Sequence, residues 1–354
     1  MRLQLIVNVS ASGVTPRVRV VIAEALAARH DLEVVLTAAR GHATELAAEA
    51  AADGRDAVVV LGGDGTLNEA ANGLAGTSTA LAVMPGGSTN VFARTIGVPA
   101  DPVDATGQLL DTLQAWDERR DGFEALRRRV GMGVVNGRRF LFHLGVGFDA
   151  AVIDRVERRG VLKRYAGHPV FVMAAVQTLV RGYDRRRPRF RVEADGDSLD
   201  NGYFAVFLNS DPYTYLGRRP LHLAPGADLD SGLSVVAFTA LGARSLLGVA
   251  GRALGSGRRV ARHPRIWART GLPAAEVWSH AEAGPVPYQV DGDYLGLADH
   301  LALAHTPGVL ELMVPAAPGA TPAGPGTLTE PATDAPPGPE PRRRRLRSRL
   351  RRGR

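Results

Sequence analysis

Short, largely apolar runs alternate with alanine-rich amphipathic stretches over the first third of the chain. Leu3–Val9, Leu32–Leu36, Ala57–Leu61 and Ala80–Met84 predict strands, and Pro16–Ala28, Ala43–Ala52 and Leu67–Leu74 predict helices between them. Ala57–Leu61 and Ala80–Met84 are apolar at every position, as strands covered on both faces are, so the alternation predicts an α/β domain with a doubly wound parallel sheet. From Ala125 the pattern changes. Val130–Asn136, Arg139–Leu144, Phe190–Ala194, Gly202–Leu208, Leu233–Thr239, Ala275–His280, Tyr288–Val290, Leu301–His305 and Val309–Val314 read as strands with short links. So many strands predict an antiparallel β-rich sandwich domain, interrupted by helical stretches near 150–182 and 245–259. The resulting division is 1–122 for the α/β domain, 123–314 for the β-rich domain, and 315–354 for a Pro/Ala/Gly-rich disordered linker with an arginine-rich tail.

Composition agrees with two domains, since 354 residues can bury two cores. Cysteine is absent, which excludes a disulfide scaffold, a thiolate zinc site and a cysteine nucleophile. Lys163 is the only lysine, so no Gly-Lys-Ser/Thr step of a P-loop exists. The net charge of +7 is unevenly placed: nine arginines between Arg342 and Arg354, against Glu330, Asp334 and Glu340, put six of the seven charges beyond residue 314. Strong basicity therefore belongs to the tail. LQLIVNV near the N-terminus reads as a buried strand rather than a signal peptide, and no apolar run is long enough to span a membrane. The histidines show no paired metal spacing, and the nucleophile elbow Gly-x-Ser-x-Gly is absent.

Four loops carry candidate chemistry. The strand ending in Leu61 runs into Gly62-Gly63-Asp64-Gly65-Thr66 and at once into a helix. Glycines there let the backbone approach a phosphate, and the helix N-terminus supplies N–H groups and partial positive charge. Asp64 in such a loop repels a phosphate unless it organises a divalent cation; the alternative is a tight turn with an aspartate cap. Pro85-Gly86-Gly87-Ser88-Thr89-Asn90 repeats the design after the next strand, on the same edge of a parallel sheet. Val290-Asp291-Gly292-Asp293 ends a strand in two acids around a glycine, either a catalytic carboxylate or a turn with solvated acids. Asp228-Leu-Asp230-Ser231-Gly-Leu233 is an acidic turn, either a cation site or an Asx-type turn ending a strand.

GGDGTLNE followed by PGGSTNVFAR resembles the catalytic domain of the diacylglycerol kinase family, which includes sphingosine and ceramide kinases. Phe140 to Ala150, with its Gly-x-Gly-x-Asp149-Ala core, is similar to a further segment of that family. The resemblance implies an NAD kinase/diacylglycerol kinase-like fold with the active site between an α/β domain and a β-rich domain. It implies ATP contacts from Asn8, Thr37, Gly62, Gly63, Gly65, Thr66, Asn68, Glu69, Gly87 and Ser88, with Val9 and Ser88 standing where the family has proline and threonine. It makes Asp293, in place of a glutamate, the general base, and gives Asp64 the task of organising Mg²⁺. It also implies a structural magnesium at Asp228, Ser231 and Leu233, although Ser231 replaces an aspartate. The implied reaction is transfer of the ATP γ-phosphoryl group to a lipid hydroxyl, with diacylglycerol giving phosphatidic acid. Such an enzyme of phospholipid metabolism works in the cytoplasm, peripherally on the inner face of the membrane; the arginine tail and the segment Arg244–Arg259 are the expected contacts with anionic lipid. A soluble-substrate kinase of the NAD kinase type is the alternative, and nucleic-acid binding through the tail is a third reading, weakened by a folded body carrying only one net charge.

Overall fold

The computed structural model describes residues 1–118, 126–148, 150 and 187–315. The helical stretch expected near 150–182, Asp149, and the linker and tail from residue 316 lie outside these residues. In the N-terminal lobe β1 (Arg2–Val7), β2 (Asp31–Leu36), β3 (Ala57–Gly62) and β4 (Ala80–Pro85) are parallel, in the order β2-β1-β3-β4. Every residue of β3 and β4 is buried, as an apolar run in a two-sided sheet requires. α1 (Pro16–Ala27) packs on α5 (Pro102–Asp117), and α2 (His42–Ala52) on α3 (Asp64–Leu74). Right-handed crossovers put these pairs on opposite faces, because the chain leaves β1 toward one edge and β3 toward the other. The carboxyl ends of β1 and β3 therefore form a topological switch point, where α/β folds bind ligands.

α3 shows how local sequence builds this edge. Gly63 precedes it in extended conformation, Asp64 occupies the first turn, and Leu67, Ala70, Ala71 and Leu74 form one buried face at helical spacing. α5, which the strand-and-helix pattern missed, carries two start signals: Asp101 accepts hydrogen bonds from the amides of Val103 and Asp104, and Pro102 occupies the first turn.

The second half is the expected antiparallel sandwich. One layer continues the N-terminal sheet through β18 (His300–Met313), β15 (Ala274–Ser279), β8 (Phe190–Ala194) and β9 (Asp197–Gly202), with β5 (Arg127–Val135) and β6 (Arg138–Phe140) branching from β18. The other layer has the order β14-β13-β10-β7-β16-β17, comprising Ile266–Leu272, Leu233–Phe238, Phe204–Leu208, His143–Gly147, Val286–Val290 and Asp293–Ala298. Phe140, Phe190 and Phe207 are fully buried between the layers. A short hairpin of β11 (Thr214–Leu216) and β12 (Arg219–Leu221) stands apart, and α6 (Ala243–Ala253) covers the outer face of the second layer, burying Val249 and Ala253.

β11, β12, β14 and β17 were not expected, and expected strands are divided or joined differently in three places. Arg139–Leu144 is two strands, because the amides of Leu141, Phe142 and His143 turn to one buried carboxylate. The two strands expected at 301–305 and 309–314 are the single β18, which carries an irregularity between Thr306 and Leu310. Gly202–Leu208 divides into the end of β9 and β10; β9 escaped notice because Asp, Asn and Gly are poor strand formers. β18 pairs in parallel with β4 at Leu312 and Leu81, and its Leu310 and Leu312 are buried in the N-terminal core.

Candidate active site

Three loops meet at the switch point by glycine-on-glycine packing. A Cβ placed on Gly86 falls 2.8 Å from the Gly62 nitrogen, and one on Gly87 falls 2.8 Å from the Gly63 Cα. Gly13, from the loop after β1, donates its N–H to the Gly86 carbonyl at 2.8 Å. Asn8 donates Nδ2–H to Thr66 Oγ1 at 2.8 Å, tying the end of β1 to the first turn of α3. Thr37, just beyond β2, donates its amide to the Val7 carbonyl at 3.0 Å. Asn90 adopts a left-handed backbone (φ 47°) and closes the second loop: its side chain accepts from the Gly87 amide and donates to the Gly87 carbonyl. Ser88 is exposed at the tip of that loop.

The helix N-termini along this edge are not equivalent. Thr15 caps α1, and Glu69 accepts from the Gly41 and Ala43 amides at the start of α2. Asp64 accepts from the Val91 and Phe92 amides, at 3.0 and 3.1 Å, at the start of α4 (Val91–Thr95). α3 supplies two of these caps, yet among the described residues no side chain caps α3 itself. Its first turn, Gly63 to Thr66, is thus the place where N–H groups and the positive end of the helix dipole remain for a ligand.

The β-rich lobe brings a carboxylate to this point. Asp291 and Gly292 both have positive φ, 47° and 85°, and form the two-residue hairpin turn between β16 and β17. Asp293 begins β17, and its carboxylate oxygens lie 3.4 and 3.5 Å from the position a Gly65 Cβ would take. Arg40 lies 3.2 Å from Asp293 Oδ2, and Arg138 lies 4.0 Å from the same atom. Asp291 is only 4% exposed and is not a solvated turn acid. It accepts from the amides of Leu141, Phe142 and His143 at 2.7–3.0 Å and from Asn68 Nδ2–H at 2.8 Å. Burial pushes its carboxyl up to about 7, against the opposing effect of those donors. Burial likewise raises Asp64, while its two backbone donors act the other way.

Most of the expected residues converge here: Asn8, Gly62, Gly63, Asp64, Gly65, Thr66 and Gly87 along the loop edge, with Asp293 facing Gly65. Two point elsewhere. Asn68 is 1% exposed and joins the lobes, donating to Asp291 and to the Arg139 carbonyl. Both Glu69 oxygens face α2. Asp64 is engaged with α4, so it acts first as a tie between the two glycine loops. Arg40 and Arg138 were not anticipated, nor was the burial of Asp291. The Asp-Gly and Asn-Gly turns preceding Asp293 and Arg138 were the signals available, since Asn136 and Gly137 also have positive φ, 46° and 85°.

The acidic turn does not fit a cation. Asp228 Oδ1 accepts from the Asp230 and Ser231 amides at 2.9 and 2.8 Å, and Asp230 Oδ2 is 2.6 Å from Arg128. Ser231 lends its hydroxyl to Asp228, and Leu233 begins β13 as a buried core residue. Burial would raise Asp228, but these donors and Arg128 hold it below the usual carboxylate range. Among the described residues no three acidic, histidine or cysteine groups converge as a metal site.

A glycine-lined switch point with an open helix N-terminus and an opposing carboxylate is the kind of α/β edge that suits a phosphate group. Residues 2–117, a third of the chain, match the family model of the diacylglycerol kinase catalytic domain. The matched domain is by class a phosphotransferase domain. The chain is 28% identical over 302 residues to the "Probable lipid kinase YegS-like" of Pseudomonas aeruginosa, covering 84% of this chain and 90% of that one. To the "Diacylglycerol kinase" of Bacillus subtilis it is 32% identical over 199 residues, covering 56% and 59%. The fold is similar to the crystal structure of a diacylglycerol kinase from Bacillus anthracis, with a TM-score of 0.64 at 19% identity, covering 88% and 96% of the two chains.

Proposed function

We propose that this chain transfers the γ-phosphoryl group of magnesium-bound ATP to the hydroxyl of a lipid, with diacylglycerol as acceptor and phosphatidic acid as product. The observation that carries the reading is Asp293 against Gly65, at the one helix N-terminus of the lobe left without a side-chain cap among the described residues. The triphosphate lies along the first turn of α3 and the two glycine loops, with Thr37, Ser88 and the backbone of Gly87 at its margin. Asn8 and Thr66 shape that surface, and Asp64 keeps the loops in register. The acceptor hydroxyl enters from the β-rich lobe and gives its proton to the Asp293 carboxylate. Its oxygen forms the new bond to the γ-phosphorus as the bond to the β–γ bridging oxygen breaks, and ADP leaves with that electron pair. Positioning and charge neutralisation carry such a reaction more than covalent help does.

Access to lipid is peripheral in this reading. No helix of the described residues is long and apolar enough to cross a membrane. α6 carries Leu247 at 73% exposure between Arg244 and Arg252, a composition suited to an interface. Incubation with labelled ATP, Mg²⁺ and a panel of lipid alcohols, with NAD as control acceptor, tests the assignment. Phosphorylated diacylglycerol is the expected product, and Asp293→Asn lowers its rate by about a hundredfold or more with an unchanged melting temperature. Phosphorylation of NAD alone, or full turnover by the folded variant, refutes it.

A further inference from the structure

The Asp293 carboxylate is held by two cations from separate parts of the chain. Arg40 belongs to the loop entering α2, and Arg138 is the first residue of β6; both approach Asp293 Oδ2, at 3.2 and 4.0 Å. Arg138 also donates to Asn68 Oδ1 at 3.2 Å, which fixes its reach. Its Nε is buried and has no partner among the described residues. The Arg40 side chain is 60% exposed and Asp293 is 20% exposed, so the cluster opens to solvent on the Arg40 side.

Neighbouring carboxylates are engaged elsewhere. Asp64 faces the α4 amides, Glu69 faces the α2 amides, and Asp291 faces Asn68 and the 141–143 backbone. Two guanidinium groups and the start of α3 therefore converge on a single carboxylate, leaving a positive excess. Phosphoryl-transfer sites place cations where charge gathers on the transferring group. With Lys163 the chain's only lysine, arginine is the cation this protein uses almost everywhere.

Resting on the kinase reading above, we propose that Arg40 and Arg138 form a guanidinium clamp for the terminal phosphate of the nucleotide, and that Asp293 occupies the clamp until that phosphate arrives. A terminal phosphate carries more negative charge than one carboxylate and offers three oxygens to two forked donors, so it draws both arginines. The exchange frees the Asp293 oxygens beside the group to be transferred, where the acceptor proton must go. ADP lacks the third phosphate and leaves the ion pairs in place. The clamp thus couples the presence of ATP, as against ADP, to the availability of the base.

Calorimetric titration of the full chain with ATP and with ADP, each with magnesium, tests this. Arg40→Ala and Arg138→Ala each weaken ATP binding by about tenfold or more while ADP affinity stays within about threefold, the size expected for a charge-assisted contact. Arg138→Lys and Arg40→Lys recover part of the loss, which a folding defect would not allow. Arg187→Ala, a charge removal at the distant Glu282 pair, leaves both affinities unchanged. Equal weakening of ATP and ADP, or no weakening of either in variants of a wild type that binds both, overturns the clamp alone. A wild type that binds neither nucleotide overturns the kinase reading and the clamp with it.

Discussion

Asp291 shows how one side chain can decide the geometry of the candidate site without facing the open turn of α3. Its four donors come from α3 and from the β6–β7 connection, and the hairpin that carries it also carries Asp293 two residues later. Removing the carboxylate strands several buried N–H groups, so Asp291→Ala lowers stability by about 3 kcal/mol or more. Asp291→Asn gives a cleaner test through pH. The folded-state value near 7 lies above the ordinary 3.8, so between these values the native protein keeps a proton that the unfolded chain has released. That contribution is present in full below the lower value and is lost as pH rises through the upper one. Wild type is therefore expected to lose stability relative to Asp291→Asn between pH 4 and pH 8, read by urea titration at each pH. An identical difference at both ends removes the buried acid from the account. The Val-Asp-Gly-Asp pattern marks the turn but is silent on burial: the same letters serve a solvated hairpin, and the burial comes from three amides and Asn68 distant in sequence.

At the scale of elements, the site depends on which helix ends are closed. Asp64 and Glu69 both leave α3 to cap neighbouring helices, which locks α2, α3 and α4 into one arrangement around the open turn. Asp64→Ala takes away the acceptor of the Val91 and Phe92 amides and costs about 1–3 kcal/mol, with weaker ATP binding. Denaturant titration beside nucleotide titration reads both effects, and a variant of unchanged stability contradicts the tie. The acidic turn before β13 makes the opposite kind of prediction. Arg128 already neutralises Asp230, so chelation of divalent ions leaves the melting temperature of the nucleotide-free protein unchanged. A fall of several degrees on adding chelator would mean that a cation does bind there. Sequence shows the Asx geometry of this turn but not Arg128, which reaches Asp230 from more than a hundred residues upstream in β5.

Over the whole molecule, β18 does what no local pattern announces. It pairs with β4 in parallel and with β5 and β15 in antiparallel fashion, so the last described strand closes the core of the first lobe and carries the sandwich with it. The Arg40–Asp293 and Gly65–Asp293 approaches depend on that join. Charge is also distributed at this scale, with a nearly neutral body and an arginine tail. The full chain should sediment with anionic vesicles at low salt, and a form ending at Pro318 should bind less, since basic residues near such a surface contribute about 1 kcal/mol each. Leu247→Asp should reduce the remainder by disturbing the exposed face of α6. Equal sedimentation of all three forms excludes both surfaces.

Apolar runs of five or six residues and glycines at their ends were enough to specify a parallel sheet, most of its helices and the two glycine loops, because burial and backbone conformation are local demands on residue type. The sequence also carried the acid pair at the β16–β17 turn and the separation of charge into a tail. Which polar side chain faces the open turn of α3 was decided by tertiary contacts. Asn68 and Glu69 sit in the same motif as Gly65 and Thr66, yet helical geometry turns them toward the other lobe and toward α2. Arg40, in a loop, and Arg138 and Asp293, at the starts of two strands, lie far apart along the chain and meet only after both sheets have formed. A charge cluster of that kind has no period and no fixed spacing, so it leaves no trace in the order of residues.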